Sequence, residues 1–222
     1  MKDIVIVGAG GFGREVEWLI ERSNNIKPEW NILGFVDDNI EKGNLVGHSK
    51  VIYNINDLTN IDKKLNVAIA VGNAKTRKLL FDKLKNNLNI SFPNLVDPSV
   101  ISGNADIGKG NIICAGTIIT VNVKIKDFTI INLDCTIGHD DIINDFVTIY
   151  PSVNVSGNVE IGECTEIGTG TQIIQGKNIC NNCIIGAGAV VVKDIIEKGT
   201  YVGVPAKKIG GLNWKKFYLL RQ

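Results

Sequence analysis

The sequence predicts a two-part chain, an α/β Rossmann-like domain followed by an all-β parallel β-helix of hexapeptide repeats. Three observations predict it. Ile or Val recurs at every sixth position from Ile101 to Val191, without an insertion. A strand, a glycine turn and a helix follow one another within the first 22 residues. Two further apolar runs, Gly34-Phe35-Val36 and Val67 to Val71, come at spacings that leave room for helices between them. The expected boundaries are 1–94 for the Rossmann-like domain, 95–210 for the β-helix and 211–222 for a C-terminal tail or cap.

The first strand is Ile4-Val5-Ile6-Val7, apolar at every position, as a buried parallel strand must be. Gly8-Ala9-Gly10-Gly11-Phe12-Gly13 matches GxGxxG, and Arg14 to Arg22 has helical character with Val16, Leu19 and Ile20 on one face. Strand, glycine turn and helix form the context that gives this motif meaning. The second strand ends in Asp37-Asp38, where a Rossmann fold contacts a ribose. The third ends in Gly72-Asn73, and Thr76 to Leu88 reads as a helix. The glycines serve tight packing alone, a dinucleotide, or a nucleotide or nucleotide-linked sugar. The last is favoured, because N–H groups at a helix N-terminus seat a diphosphate and the domain is short for a dinucleotide. Phe92 to Pro98 connects the two parts.

A period of six is neither the 3.6 of a helix nor the 2 of a strand. It fits short strands separated by turns, one large aliphatic pointing inward per hexapeptide. Small residues follow the aliphatic at Ser102, Gly108, Gly138, Ser156, Gly162, Gly168 and Gly186, and small or β-branched residues come four positions on, from Ala105 and Thr117 to Thr171 and Ala189. These allow tight turns and coils stacked at strand spacing, about 4.8 Å. After Pro205 the tail holds Trp214, Phe217, Tyr218, Leu219 and Leu220, which suit a cap on the prism end or packing on a neighbour, or stacking of Trp214 on CoA adenine.

With 24 basic and 23 acidic residues the net charge is +1, so no long-range attraction draws the chain to nucleic acid or an anionic membrane. No apolar run reaches the ~20 residues of a membrane span. The N-terminus opens on a strand without signal-peptide character, and the chain reads as cytoplasmic. The five cysteines are odd in number, and a disulfide framework is not expected. Cys180 and Cys183 form a lone CxxC, read as buried thiols in repeats rather than as a zinc site, and no metal is expected.

The order of parts resembles the family of sialic-acid O-acetyltransferases and nucleotide-4-amino-sugar N-acetyltransferases, the NeuD/PglD type. The resemblance covers nearly the whole chain. It is carried by Gly8 to Glu15, Gly34 to Asp38, Val71-Gly72-Asn73 with Arg77, Asn132 to Asp140, Ser156 to Val159, and Val202-Gly203-Val204-Pro205-Ala206-Lys207. It implies a left-handed parallel β-helix with three hexapeptides per triangular coil, so that sixteen repeats make about five coils. It also implies acetyl-CoA as co-substrate, a homotrimer with CoA clefts between adjacent prisms, and a place in surface polysaccharide biosynthesis.

Acyl transfer from a thioester needs a base for the nucleophile, polarisation of the carbonyl, and alignment of the two. Histidine is the usual base near neutral pH, and the chain has two. His48 lies in a polar loop-like stretch and reads as solvated. His139 falls at a turn of the Ile137 hexapeptide, where a side chain projects outward, and is followed by Asp140. In the family the corresponding His is the base and the acidic neighbour orients it; Asn132, seven residues earlier, holds the acceptor or the imidazole, or is a turn Asn. An eighteen-residue coil stacks Gly157 on His139, leaving space for the thioester and an N–H for its oxygen. The resemblance adds Thr148, Thr169 and Ala187 as acetyl-CoA contacts. For the nucleotide sugar it points to Gly10, Gly11, Phe12, Asp37, Asp38 and Gly72, with Phe12 and Thr148 standing where some relatives have His. The function expected is N-acetylation of a nucleotide-linked amino sugar by direct transfer. O-acetylation of sialic acid or a related sugar hydroxyl is the alternative, and a non-catalytic sugar-nucleotide scaffold is the reading from another class.

Overall fold

The computed structural model describes residues 1–210, so the aromatic residues of the tail, Trp214 among them, lie outside the described residues. The N-terminal part is a sheet of six strands with helices between. In chain order these are β1 (Lys2–Val7), α1 (Gly11–Ile26), β2 (Trp30–Val36), β3 (Leu45–Val46), β4 (Ser49–Tyr53), α2 (Ile55–Thr59), β5 (Leu65–Ile69), α3 (Ala74–Leu84) and β6 (Ile90–Ser91). The strand order is β3-β4-β2-β1-β5-β6. All pairs are parallel except the β3–β4 hairpin. β1 lies between β2 and β5, so the sheet reverses its winding there, and the crevice at the carboxyl end of β1 opens over Gly8 to Gly11. Ile4, Val5 and Ile6 are fully buried, as a central strand covered on both faces requires. α2 begins with a reciprocal capping box between Asn54 and Asp57, and α3 with the Asn73 side chain accepting from the Thr76 N–H.

The second part is a triangular solenoid. Its strands are mostly two residues long and pair with the coils above and below, except that Thr200–Val202 also pairs antiparallel with Lys207–Ile209. One face runs Ile112, Ile130, Thr148, Glu166 and Ile184 at eighteen-residue steps, a second Ile118, Thr136, Asn154, Gln172 and Val190, and a third Lys124, Ile142, Glu160 and Asn178. Every sixth aliphatic from Ile113 to Val191 is buried and fills the prism. Ile101 departs from the expected inward register. It pairs with Ile118 rather than Ile119, one residue out of step, and is 64% exposed. The solenoid also extends past the repeats. Leu95–Val96 starts the first face, Thr200–Val202 joins it through a coil shortened to sixteen residues, and Lys207–Ile209 forms its antiparallel edge.

The corners share one device. At every sixth residue from Gly110 to Gly188 the backbone takes positive φ. Gly, Asn and Asp occupy most of these positions because they tolerate the left-handed region. Ser152, Cys164, Phe128 and Phe146 are the exceptions, and the two bulky phenylalanines, at φ 56° and 57°, are the costliest. Both phenylalanines lie at the seam between the two parts, stacked on each other at 5.3 Å and packed against Phe81 of α3. Arg77, also of α3, is 1% exposed and fastens this seam. Its Nε donates to the Phe128 carbonyl, Nη2 to those of Phe146 and Val147, and Nη1 to those of Val71 and Gly72. Burial lowers its pKa to about 10, so it stays charged at neutral pH. On α1, Arg22 makes a two-pronged bond to the buried Asp97 at the start of the solenoid.

Candidate active site

His139 stands at the corner that follows the strand Thr136–Ile137. Two glycines let it lie against the next coil. A Cβ at Gly138 would sit 2.5 Å from the Gly157 nitrogen. A Cβ at Gly157 would sit 2.5 Å from Cε1 and 2.6 Å from Cδ2 of the His139 ring, with Nε2 closer still. The eighteen-residue stacking therefore holds, but the space at Gly157 is first the space of the imidazole itself. The His139 side chain is 50% exposed and its Nδ1 lies 2.8 Å from Asp140 Oδ2. Asn122, one coil earlier, donates from Nδ2 to Asp140 Oδ1 at 3.1 Å. The bond to His139, then that to Asn122, holds the Asp140 carboxyl below the usual range. Asn122 was visible in the sequence only as the residue eighteen before Asp140.

Asn132 is not brought to His139 within one protomer. It follows the strand Ile130–Ile131 at a different corner, is largely buried, and spends Oδ1 on the Leu133 N–H. Its corner stacks with Tyr150, Gly168 and Gly186. There a cavity of about 550 Å³ is lined by Thr169 and Ala187 together with Asn73, Tyr150 and Glu166. Glu166, which sequence reasoning missed, gathers this wall. Oε1 accepts from Asn73 Nδ2 and the Ala74 N–H, and Oε2 from the Tyr150 hydroxyl. Thr148 corrects the sequence expectation. It is 1% exposed and donates its hydroxyl to the Gly72 carbonyl at 2.6 Å, so its side chain belongs to the seam and offers no surface to a cofactor.

In the glycine turn the roles divide. Gly8 needs its φ of 99°, and a Cβ on Gly13 would overlap the Gly8 carbonyl, so these two serve close packing. Gly10 and Gly11 are open: a Cβ on Gly10 would meet nothing within 4 Å, and one on Gly11 only the Arg14 guanidinium at 3.9 Å. They cap and begin α1 with no side-chain cap in the way. Phe12 is half-buried and packs on the core with Ala9 and Leu133. Asp37 braces the turn, Oδ2 accepting from the Ala9 N–H and Oδ1 from the Asn39 N–H. Asp38 is exposed and gives Oδ1 to the Ile55 N–H, at the start of α2. The Gly72 carbonyl is occupied by Thr148 and Arg77. His48 is exposed but paired with Glu21 at 2.8 Å, which raises its pKa.

The family model for the PglD N-terminal domain matches residues 3–84. The chain is 33% identical over 192 residues to the GDP-perosamine N-acetyltransferase of Escherichia coli O157:H7, covering 82% of both. The fold matches the acetyltransferase domain of PglB from Neisseria gonorrhoeae FA1090 with a TM-score of 0.85 at 31% identity, over 94% of this chain and all of that one. It matches PerB from Caulobacter crescentus, solved with CoA and GDP-perosamine, with a TM-score of 0.86 at 27% identity, over 95% and 98%. With full-length likeness to such proteins, a hexapeptide solenoid and a His–Asp pair at its corner, the chain belongs to the NeuD/PglD-type family of hexapeptide acyltransferases.

Proposed function

We propose that this protein transfers the acetyl group of acetyl-CoA to the amino group of a nucleotide-activated 4-amino sugar, with His139 as general base. The observation that carries the reading is an exposed imidazole held at Nδ1 by Asp140, its other nitrogen lying over a residue without a side chain. His139 Nε2 takes the proton of the attacking amine as its nitrogen closes on the thioester carbonyl, and returns a proton to the departing CoA thiolate. Asp140 offsets the imidazolium charge as it forms. The Gly157 N–H, on the next coil, donates to the carbonyl oxygen as negative charge builds there. The named ligands of PerB, CoA and GDP-perosamine, support the two substrate classes.

His139 and Gly157 lie at one corner of the prism, and Asn132, Thr169 and Ala187 at another. A second copy that sets its Thr169–Ala187 cavity against the first copy's His139 joins the two halves, which favours a homotrimer with clefts between neighbours. The sugar nucleotide would seat its diphosphate at Gly10 and Gly11. Thiol release from acetyl-CoA, measured over a panel of UDP-, GDP- and dTDP-amino sugars and free sialic acids, tests the reading. His139→Ala is expected to lower kcat about 10²–10⁴-fold. Turnover of sialic acid alone would replace the N-acetyl reading with O-acetylation, and near-wild-type turnover by His139→Ala would remove the base. A monomer by light scattering at micromolar concentration would refute the shared cleft.

A further inference from the structure

One position in each hexapeptide, two before the buried aliphatic, points into the prism. Val123 and Val159 occupy it in the coils on either side of His139 and are 1% exposed. Between them stands Asp141, fully buried, directly after the His139–Asp140 pair. Its Oδ1 accepts from the Val159 N–H at 2.8 Å, and its Oδ2 is buried without a partner. A carboxylate in an aliphatic column, with an unbonded oxygen and Asp140 beside it, is a costly choice where valine serves the neighbouring coils. Burial pushes its pKa up to about 7, although the Val159 and Gly138 N–H groups and His139 act the other way. The groups facing it are His139 and Asp140 on its own turn; the adjacent coils place Val123 and Val159 in its column, and Lys177 follows two coils on.

The same position elsewhere shows what a proton there can do. Thr117, Thr129, Thr165 and Thr171 each donate a hydroxyl to the carbonyl fifteen residues on, at 3.0–3.2 Å. Thr165 uses one oxygen twice, accepting from the N–H eighteen residues on and donating to the carbonyl fifteen on. Asn111 makes only the first bond, to the Thr129 N–H, and its Nδ2 is buried without a partner. Asp141 makes the first bond as well. In this register the carbonyl fifteen residues on is that of Ser156, which belongs to the same peptide unit as the Gly157 N–H.

We propose that Asp141 is a positioning residue: as a neutral carboxylic acid it bridges the Val159 N–H and the Ser156 carbonyl, and so fixes the Ser156–Gly157 peptide beside His139. The proposal rests on the reaction proposed above, in which the Gly157 N–H meets the developing oxyanion. A proton donated to the Ser156 carbonyl polarises that peptide and holds its N–H on target. Ionisation removes the donor and adds a negative charge next to Asp140, so activity falls as pH rises through about 7.

Two substitutions test the donated proton. Asp141→Thr reproduces Thr165, with donor and acceptor but no ionisation. It is expected to keep most of kcat at pH 6.5 and to lose the alkaline fall. Asp141→Val reproduces Val123 and Val159, with neither acceptor nor donor. It is expected to fold, to keep its acetyl-CoA KM within a few-fold, and to lose about tenfold in kcat, less than deletion of an oxyanion donor costs. A purely structural role predicts equal kcat in both. Wild-type kcat in Asp141→Val, or an alkaline limb surviving in Asp141→Thr, overturns the proposal. An infrared difference between wild type and Asp141→Asn at pH 6 is expected to show the carbonyl stretch of a protonated carboxylic acid. Its absence also overturns the proposal, whatever the assay gives. A wild type that transfers no acetyl group to any sugar nucleotide overturns the function proposed above, and the infrared band still reports the proton on Asp141.

Discussion

Gly157→Ala probes the geometry of the site with one methyl group. The new Cβ would lie 2.5–2.6 Å from two ring carbons of His139, against an ordinary contact of 3.4 Å or more. The ring must therefore retreat by about 1 Å, and it can, because it is half exposed. The retreat carries Nε2 off the line of attack, and a misplacement of that size costs about 10²-fold in rate. Stability moves little. Gly157 has an ordinary φ, so alanine there restricts the unfolded chain, a gain of about 0.4–1 kcal/mol that offsets the local crowding. The expected result is a kcat about 10²-fold down by thiol release, with a thermal midpoint within a few degrees of wild type. A kcat within threefold of wild type would show that the ring position seen here is not the one that reacts.

Arg77→Met leaves three buried carbonyls and two part-buried ones short of their donor. It is expected to cost about 3 kcal/mol or more and to expose the seam to limited proteolysis; an unchanged midpoint would mean the apolar contacts suffice. Asp141→Asn gives a pH-dependent stability difference. The folded pKa near 7 lies above the ordinary 3.8, so the acid's contribution is fully present below about 3.8 and is lost as pH rises through about 7. The stability of Asp141→Asn relative to wild type is then expected to grow over that window by up to about 4 kcal/mol and level off above it. Melting curves showing a constant difference from pH 4 to 9 would contradict this. Asp38→Ala and Gly11→Val are each expected to raise the sugar-nucleotide KM and leave the acetyl-CoA KM nearly unchanged. Normal acceptor kinetics in both would take the acceptor away from the glycine turn.

What was legible in the sequence is what repeats or lies close along the chain. A period of six placed His139 at an outward corner, and eighteen-residue arithmetic stacked Gly157 on it. The glycine turn was readable because GxGxxG between a strand and a helix brings its own local context, although Gly8 is also packed against Ala70 and Val71 at the end of β5. The seam was not legible. Thr148 has the register of a surface residue, and only the arrival of Gly72 from the other domain buries it. Arg77 looked like one more helix charge, and its five carbonyl partners are scattered from Val71 to Val147. Asn132 and His139 are seven residues apart in sequence and on different corners in space, because the strand Thr136–Ile137 lies between their corners. Glu166 carries no motif, and its part in the cavity wall depends on where Asn73 lands.

The left-handed residues at every sixth position make the solenoid a phase-locked ruler. Deleting a single residue would put each later aliphatic outside the prism, as Ile101 already is at the first coil. Removing one hexapeptide would keep the aliphatics inside but turn everything after it by a third of a revolution, moving the Thr169–Ala187 row to another edge. Only whole coils leave the phase intact. A lineage carrying this solenoid can lengthen or shorten it eighteen residues at a time, while the chemistry at its edges drifts by substitution, and length variants of other sizes should be confined to the two ends.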